Sequence, residues 1–331
     1  MPFDMTVFLP LDPDAAFRLI TEPERLRRWK TVAARVDLRV GGEYRWTIVP
    51  GHSAAGTFTE IEPGKRVVLT WGWEGSPDLP PGASTVSITL DAVDGGTTVR
   101  LVHDGLTAEQ AASHAQGWHH FLGRLVTLGV EGDVGPDEWA AVPDPIDPLA
   151  SAEAALAIVQ RVLRGVTAAN AGVPTPCEDF TVAELVAHLL DSIARIGTAL
   201  GVPEPAAPSS AAAASVPAEV RIADAAKKTL EALRLRGLAG TVDLGPGGLP
   251  ASTAANILNL EFLVHAWDLA TATGQQLVVA PALSDYILGL ARQTITDATR
   301  GNGSFHPAIE LEESAASLPR LLAFTGRPNP S

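Results

Sequence analysis

The sequence is poor in cysteine, in aromatic residues and in long apolar runs. Cys177 is its single cysteine, and aromatic residues make up 5% of the 331 positions. One cysteine excludes an internal disulfide and suits a reducing compartment. No run of 18 apolar residues occurs, so we expect no transmembrane helix. The opening residues lack the basic segment and apolar core of a secretory signal, and we expect a cytoplasmic protein.

Basic residues are also scarce. Lysine and arginine number 24 against 38 aspartates and glutamates, which gives a net charge of −14. Residues 1–146 carry 12 basic and 20 acidic side chains, and the remainder carry 12 and 18. Neither part is basic overall, so we expect neither nucleic acid nor an anionic membrane as a partner.

Length and local patterning indicate two domains. The segment Gly132–Pro148 is rich in proline, glycine and aspartate and has no sustained hydrophobic period, which is typical of a linker. We place the boundary within it, with one domain at 1–142 and the other at 143–331. The oligomeric state is left open by the sequence, with a homodimer as one option.

The first domain is predicted to be an antiparallel sheet followed by a long helix. A capping box at Thr107 and Gln110 opens that helix, which reaches Val130 and must bury its apolar face on the sheet. The other predicted elements are short helices at Asp12–Leu19 and Pro23–Trp29, followed by about six strands at 36–40, 43–49, 56–60, 66–73, 85–92 and 97–103.

Four stretches of this half carry a family resemblance. They are R-R-W at 27–29, G-G-E-Y-R at 41–45, G-T-F-T-E-I-E-P-G-K-R-V-V-L-T-W at 56–71 and G-W-H-H-F-L-G-R-L at 117–125. Over roughly 1–142 the chain resembles the SRPBCC superfamily, in the branch related to activators of the heat-shock chaperone ATPase. The resemblance implies an α+β helix-grip fold with a cavity between sheet and helix for an apolar ligand. Trp46, Trp71, Trp73 and His103 could line that cavity, or the tryptophans could be ordinary core.

Helical periodicity dominates the second half. The predicted segments are Leu149–Ala169, Thr181–Leu200, Ala218–Arg236 and Ser252–Thr273. They predict an all-α four-helix bundle, followed by a short C-terminal extension. A capping box at Thr181 and Glu184 opens the second helix, which gives Glu184 a structural role.

The last of these helices contains two polar residues in apolar surroundings. In N-I-L-N-L-E-F-L-V-H-A-W-D-L-A-T, Glu261 and His265 lie four positions apart and therefore share a face. A buried carboxylate needs a partner, and a divalent metal would satisfy both side chains. His188, at the edge of the apolar stripe of the second helix, is the candidate third ligand. A surface ion pair and a core histidine are the alternatives that spacing alone leaves open.

A second resemblance bears on this choice. The motifs T-P-C-E-D-F-T-V-A-E-L-V-A-H-L at 175–189, N-L-E-F-L-V-H-A-W-D-L-A at 259–270 and L-L-A-F-T-G-R-P at 321–328 carry it. Over about 147–330 the chain resembles the DinB-like superfamily, in the mycothiol-dependent maleylpyruvate isomerase N-terminal domain group. That family binds a divalent metal, usually zinc, through residues that correspond to His188, Glu261 and His265.

The resemblance implies that a low-molecular-weight thiol, such as mycothiol, binds with its sulfur on the metal. It implies a thiol-dependent isomerase or S-transferase that acts on a small electrophilic or unsaturated acid. The front domain has no counterpart in the isomerase, and the tail after residue 281 is short. Two other functions stay open: a non-catalytic protein that binds a small hydrophobic ligand and has a structural metal, and a chaperone cofactor.

Four further residues near these motifs have simpler interpretations. Cys177 precedes a helix but is expected to be a packed free thiol. Asp268 and Asp191 each follow a candidate histidine by three positions and could orient it, or be solvated. Arg327 could bind a carboxylate, but a solvated role is expected.

Overall fold

The computed structural model describes residues 2–177, 180–203, 216–245, 248–301, 305–312 and 314–327. The chain divides into two compact units, 1–137 and 138–331, and each has its own hydrophobic core. The domain boundary between residues 142 and 143 stays a prediction. None of the described helices is long and apolar enough to cross a membrane.

The first unit is an antiparallel sheet of seven strands with three helices. Along the sheet the strand order is β1-β7-β6-β5-β4-β3-β2, and each neighbouring pair is antiparallel. The elements are β1 Phe3–Leu9, α1 Pro13–Thr21, α2 Pro23–Trp29, β2 Ala33–Val36, β3 Glu43–Val49, β4 His52–Glu62, β5 Arg66–Trp71, β6 Ser84–Val93, β7 Gly96–Asp104 and α3 Ala108–Glu131.

The strand prediction was wrong at two places. It missed β1, whose residues from Phe3 to Leu9 alternate between partly buried and exposed positions, with the period of a strand. It also placed the next strand at 36–40, whereas β2 covers Ala33–Val36. The residues that follow β2 form the connection to β3, and Gly41 within it has a φ of 78°, which glycine adopts readily.

Helix α3 is held at both ends and buried along one face. The predicted capping box is present, since Thr107 and Gln110 each accept a hydrogen bond from the backbone N–H of the other. Gly132 ends the helix in the left-handed conformation. The buried residues recur at helical spacing and belong to the core of the sheet: Trp118, Phe121, Leu122, Leu125 and Leu128. This confirms the helix-grip fold.

Aromatic rings fill the interior of this unit. The ring of Trp71 has its centroid 6.2 Å from that of Trp46 and 5.4 Å from that of Trp118. A cavity of about 10 Å³ lies beside them, which is room for about one water molecule. Trp46 lines this cavity, but Trp71, Trp73 and His103 do not. The expected apolar-ligand cavity is therefore largely filled, and the tryptophans pack as core.

His103 is a fully buried histidine whose hydrogen bonds fix it as the neutral form. Its Nδ1 accepts from the indole N–H of Trp118 at 3.1 Å, so the proton resides on Nε2. That Nε2 lies 2.9 Å from the hydroxyl of Ser84, which in turn donates to the carbonyl of Trp71. Burial is the main cause that lowers the pKa of His103 to about 3.

Acidification is therefore expected to destabilise the first unit. The pKa of His103 is lower in the folded chain than in the unfolded one, where it is about 6.5. The free energy of unfolding should therefore decrease as the pH falls from 6.5 towards 3, because in this range the unfolded chain binds a proton at His103 that the folded chain does not. Above pH 6.5 neither state binds this proton, and the full stability is present. Tryptophan fluorescence in urea should follow the loss, since Trp29, Trp46, Trp71, Trp73 and Trp118 lie in this unit.

Two variants make this test specific. His103→Gln keeps a donor and an acceptor but does not titrate, so its unfolding midpoint should change less with pH than that of the original chain. His119→Gln, at an exposed position on α3, should leave the pH dependence unchanged. Equal pH dependence in all three proteins would show that His103 does not control acid stability.

The second unit is helical. Its described elements are a short 3₁₀ turn at Glu138–Ala140, α4 Pro148–Leu163, α5 Val182–Ala199, α6 Ala218–Arg236, the two-residue strands β8 Thr241–Val242 and β9 Leu249–Pro250, α7 Ala251–Thr273, α8 Pro281–Thr294, α9 Asp297–Gly301 and α10 Ser317–Phe324. The first helix ends at Leu163, earlier than the predicted Ala169.

Four of these helices pack in pairs around one core. Helix α4 contacts α7 and α6, and α5 contacts the same two helices. Helix α8 packs against α7, and α10 packs against α8. The buried face of α5 contains Leu185, Leu189 and Ile193, which belong to the core that α7 shares. This face of α5 therefore packs close to α7, the helix that carries Glu261 and His265. This packing positions the candidate site.

Candidate metal centre

The site is built on α7, a helix that is buried on nearly all sides. Glu261 and His265 lie one turn apart on it, and their side chains share a face. The Nε2 atom of His265 is 3.5 Å from Oε2 of Glu261. Both side chains are largely withdrawn from solvent, with 9% and 15% of their surfaces exposed. The predicted pair is thus not a surface ion pair.

Helix α5 supplies the third side chain. It begins at the predicted capping box of Thr181 and Glu184, which fixes the start of the helix and thereby the rotation of its faces. His188 follows one turn later, and its Nε2 lies 3.5 Å from the same Oε2 of Glu261. The rings of His188 and His265 are nearly perpendicular, with centroids 5.3 Å apart.

The structure therefore brings together all three residues that the sequence singled out. One ligand-type atom from each of His188, Glu261 and His265 lies within 4.8 Å of the others. Both imidazoles present Nε2, the nitrogen that is free of other described hydrogen bonds, towards the carboxylate. A histidine nitrogen pair and a carboxylate oxygen are a common donor set for zinc.

Oε2 of Glu261 gives an independent indication of a cation. It is buried and has no hydrogen-bond partner among the described residues. The two imidazole nitrogens are 3.5 Å away, beyond the usual range of about 2.7–3.2 Å for such bonds. A buried unpaired acceptor is costly, and a cation bound by all three groups would remove that cost. The donor set thus fits a divalent metal.

Asp268 orients His265 from its other side. Oδ2 of Asp268 lies 2.9 Å from Nδ1 of His265, one turn along α7, so Nδ1 carries a proton and donates it. The Nε2 lone pair is then directed to the centre of the site, as in many carboxylate–histidine–zinc arrangements. Asp191, the corresponding candidate for His188, is exposed and forms no hydrogen bond with it in the described chain.

Arg327 completes this arrangement, and its expected solvated role was wrong. The side chain is buried and donates to both carboxylate oxygens of Asp268, at 2.8 and 3.3 Å. Asp268 is fully buried, so the guanidinium supplies the counter-charge that an aspartate needs at that depth. The neighbouring charges of Arg327 and His265 lower the pKa of Asp268, against the opposing effect of burial. The pair joins α7 to the end of the described chain.

Electrostatics favour a charged carboxylate at Glu261. Burial alone would raise its pKa, but the imidazoles of His188 and His265 hold it at about 2. Burial would lower the pKa of His265, whereas Asp268 and Glu261 raise it to about 9. A proton on Nε2 of His265 therefore competes with a metal, and affinity for the metal should fall on acidification.

A second group of ligand-type atoms overlaps the first. Cys177, His265 and Asp268 also lie within 4.8 Å of one another. This set fits a metal less well, because both carboxylate oxygens of Asp268 already accept hydrogen bonds from Arg327 and one accepts from His265. Sequence reasoning placed Cys177 as a packed thiol and did not anticipate its position beside His265, since a turn that precedes α5 brings it there.

Asp268→Asn is expected to weaken metal binding by roughly 10–100-fold without loss of the fold. The amide can donate its N–H to Nδ1 of His265, which favours the tautomer with a proton on Nε2, the nitrogen expected to bind the metal. The substitution also removes the negative charge that pairs with Arg327. Competition titration of zinc against a chromophoric chelator measures the change. Asp191→Asn is the matched control and should bind zinc as the original chain does. Equal affinity in both variants would show that Asp268 does not orient a ligand.

Comparison with known proteins gives two family matches. Residues 10–129 match the model described as "Activator of Hsp90 ATPase homolog 1-like protein". Residues 152–270 match the model of the "Mycothiol maleylpyruvate isomerase N-terminal domain". The second match contains His188, Glu261 and His265, whereas Arg327 lies beyond it.

Individual proteins are also similar to parts of this chain. "Uncharacterized protein Rv0738" of Mycobacterium tuberculosis is 30% identical over 190 residues, which are 55% of this chain and 98% of that protein. The human "Activator of 90 kDa heat shock protein ATPase homolog 1" is 25% identical over 119 residues, 35% of this chain and 34% of its own length. The solution structure of an AHSA1-like protein from Rhizobium etli is 38% identical, with a TM-score of 0.36, and covers 42% of this chain and 88% of that one.

Proposed function

We propose that the protein is a metal- and thiol-dependent enzyme, because of the families to which the chain belongs. Residues 152–270 belong to the mycothiol maleylpyruvate isomerase N-terminal domain family, and residues 10–129 belong to the Hsp90-ATPase-activator-like family. Its second unit would carry out the isomerisation of a small unsaturated acid or the transfer of a thiol to a small electrophile. The observation that carries the proposal is the convergence of His188, Glu261 and His265 around a buried carboxylate oxygen without a hydrogen-bond partner.

These three residues would hold the metal, with zinc as the expected ion. Nε2 of His188, Nε2 of His265 and the carboxylate of Glu261 are the ligands. Three protein ligands are typical of catalytic zinc, which keeps a further position for water or substrate. When bound, such an ion lowers the pKa of a thiol that contacts it, so that the thiolate exists at neutral pH.

Other residues of the chain would prepare this site. Asp268 and Arg327 keep the Nε2 lone pair of His265 directed to its centre. The ring of Phe180 lies 5.0 Å from that of His188, centroid to centroid, and shields one side of the imidazole from solvent. Because Arg327 already pairs with Asp268, the carboxylate of an acid substrate would have to be bound by other groups.

The two candidate reactions can be separated by following the thiol. We expect zinc-loaded protein with a mycothiol-type thiol to act on an unsaturated acid or an electrophile. An isomerase leaves the thiol concentration unchanged while the double-bond geometry changes, and an S-transferase consumes one thiol per product. Glu261→Gln should reduce either activity by at least about 100-fold, since one ligand is lost, whereas Asp191→Asn should retain it. Absence of both activities in the zinc-loaded protein over a panel of such substrates would contradict the proposal.

A chaperone-cofactor function is the second candidate, and the family match of residues 10–129 favours it. It predicts that the full chain stimulates the ATPase of an Hsp90-type chaperone, and that Glu261→Gln stimulates it equally because the metal site is in the other unit.

A binding function for small hydrophobic ligands has less support, since aromatic side chains fill the interior of the first unit. The homodimer stays a prediction, which sedimentation measurements can test.

A further inference from the structure

Lys30 lies in the core of the first unit, directly after α2. Only 4% of its surface is exposed. Its Nζ lies over the faces of four indole rings, 4.3 Å from the centroids of Trp46 and Trp118, 5.0 Å from that of Trp71 and 5.8 Å from that of Trp29. A lysine at this depth would ordinarily be paired with a carboxylate.

No such partner exists in the described part of the chain, where no hydrogen bond or ion pair involves Nζ. The indole N–H groups of Trp46 and Trp71 are also buried without a hydrogen-bond partner. Among the described residues, an ammonium at Nζ would therefore be stabilised by ring faces and not by a hydrogen bond.

The ionisable groups around Lys30 supply no negative charge. His103, from β7, is neutral, as described above. His114, from α3, accepts from the indole N–H of Trp73 at 3.1 Å and lies 2.8 Å from the carbonyl of Gln110, which fixes a neutral tautomer. The hydroxyl of Tyr44, from β3, donates to the carbonyl of Thr70, and burial raises its pKa.

Two opposing effects decide the charge of Lys30. The four ring faces attract a cation. Removing an ammonium from water without hydrogen-bond partners costs considerably more, so a buried lysine loses its proton instead. Burial accordingly lowers the pKa of Lys30 well below its ordinary value. The lowered pKa makes the free amine, with its available lone pair, more populated at Lys30 than at an ordinary lysine.

A small cavity borders this amine. Lys30 lines it together with Trp46, Trp118 and aliphatic side chains, and its volume is about 10 Å³. This is room for about one water molecule, so only a ligand of one or two non-hydrogen atoms fits, and the apolar lining excludes charged ligands. Desolvated lysines in apolar pockets are the amines that form imines with carbonyl compounds. The smallest such compound is the one-carbon aldehyde, formaldehyde, which has two non-hydrogen atoms.

We propose that Lys30 is a nucleophilic amine that captures a one-carbon aldehyde as an imine. The nitrogen lone pair attacks the carbonyl carbon, and the carbonyl oxygen takes up a proton to give a carbinolamine. The nitrogen gives up its remaining proton as the hydroxyl leaves as water, and a carbon–nitrogen double bond forms. No oxidant or reductant is consumed, and the reaction reverses when water adds.

The chain allows a selective test, because it contains four lysines: Lys30, Lys65, Lys227 and Lys228. The other three form ion pairs, Lys65 with Glu62 and the remaining two with Asp224. Full-length protein is treated with formaldehyde and cyanoborohydride at pH 6.5, and peptide masses report methylation at each lysine. Lys30 should be methylated at least about ten times faster than the other lysines. The ratio of these methylation rates should decrease as the pH rises, because each pH unit increases the free-amine fraction of an ordinary lysine tenfold.

A second measurement uses the tryptophan cage. Formaldehyde without reductant should change the tryptophan fluorescence of the original chain but not that of Lys30→Met, in which an apolar side chain of similar length preserves the packing. The proposal is overturned if Lys30 stays unmodified while the other lysines react, if all four react with the same pH dependence, or if the fluorescence change persists in Lys30→Met.

Discussion

Replacing His265 by alanine is expected to abolish zinc binding while the fold is retained. The original chain should keep about one equivalent of zinc after dialysis, and the variant should keep less than about a tenth of that, because two remaining ligands hold zinc far more weakly than three. The effect should be large because His265 contacts every part of the site: its Nε2 faces Glu261, and its Nδ1 donates to Asp268. Elemental analysis by mass spectrometry measures the metal.

The control must remove an imidazole elsewhere in the same unit. His306 is exposed, and the contact made there by Arg300 uses the backbone carbonyl, so His306→Ala should keep the full equivalent of zinc. Circular dichroism and gel filtration of both variants should match the original chain. Zinc retained by a folded His265→Ala variant would show that the metal is bound elsewhere, and zinc lost from both variants would indicate unspecific binding.

Replacing Lys30 by methionine is expected to stabilise the chain at neutral pH, by about 1.4 kcal/mol for each unit by which burial lowers the pKa of the lysine. The unfolded chain binds a proton at this lysine more tightly than the folded chain does, because burial lowers the pKa, and this difference costs stability. The pKa of Lys30 is lowered in the folded state, so the cost is greatest at low pH and disappears as the pH rises to about 10, where the unfolded lysine also loses its proton.

Urea unfolding followed by tryptophan fluorescence at several pH values measures this difference. Lys65→Met is the control, because Lys65 is exposed and its ion pair with Glu62 contributes little. Its midpoint should stay close to that of the original chain. A Lys30→Met variant that is less stable than the original chain, or whose advantage does not shrink towards pH 10, would mean that the ammonium is stabilised in the cage.

Much of the site was predictable because its residues violate a local pattern. Glu261 and His265 interrupt a helix that is apolar on all sides, and such polar residues need a shared partner. His188 could be selected because it lies at the edge of a regular apolar stripe. The pairing of Arg327 with Asp268 was not predictable, since these residues are 59 positions apart and no period or motif connects them.

Contacts between residues far apart in the sequence also limited how much of the fold could be predicted. The period of two predicted most strands, and the capping boxes at Thr107 and Thr181 located two helices correctly. Lys30 follows Trp29 at the end of a short basic helix, and its local sequence suggests a solvated side chain. Its burial arises from four indoles on separate elements, which only the assembled sheet and α3 bring together.

One cation is expected to bind to His188, Glu261 and His265 together. Anomalous diffraction at the zinc edge, from crystals of the zinc-loaded chain, locates the ion. We expect one strong peak about 2.0–2.2 Å from Nε2 of both histidines and from a carboxylate oxygen of Glu261. A peak bound instead by Cys177 and Asp268, or no peak in this part of the second unit, would contradict it.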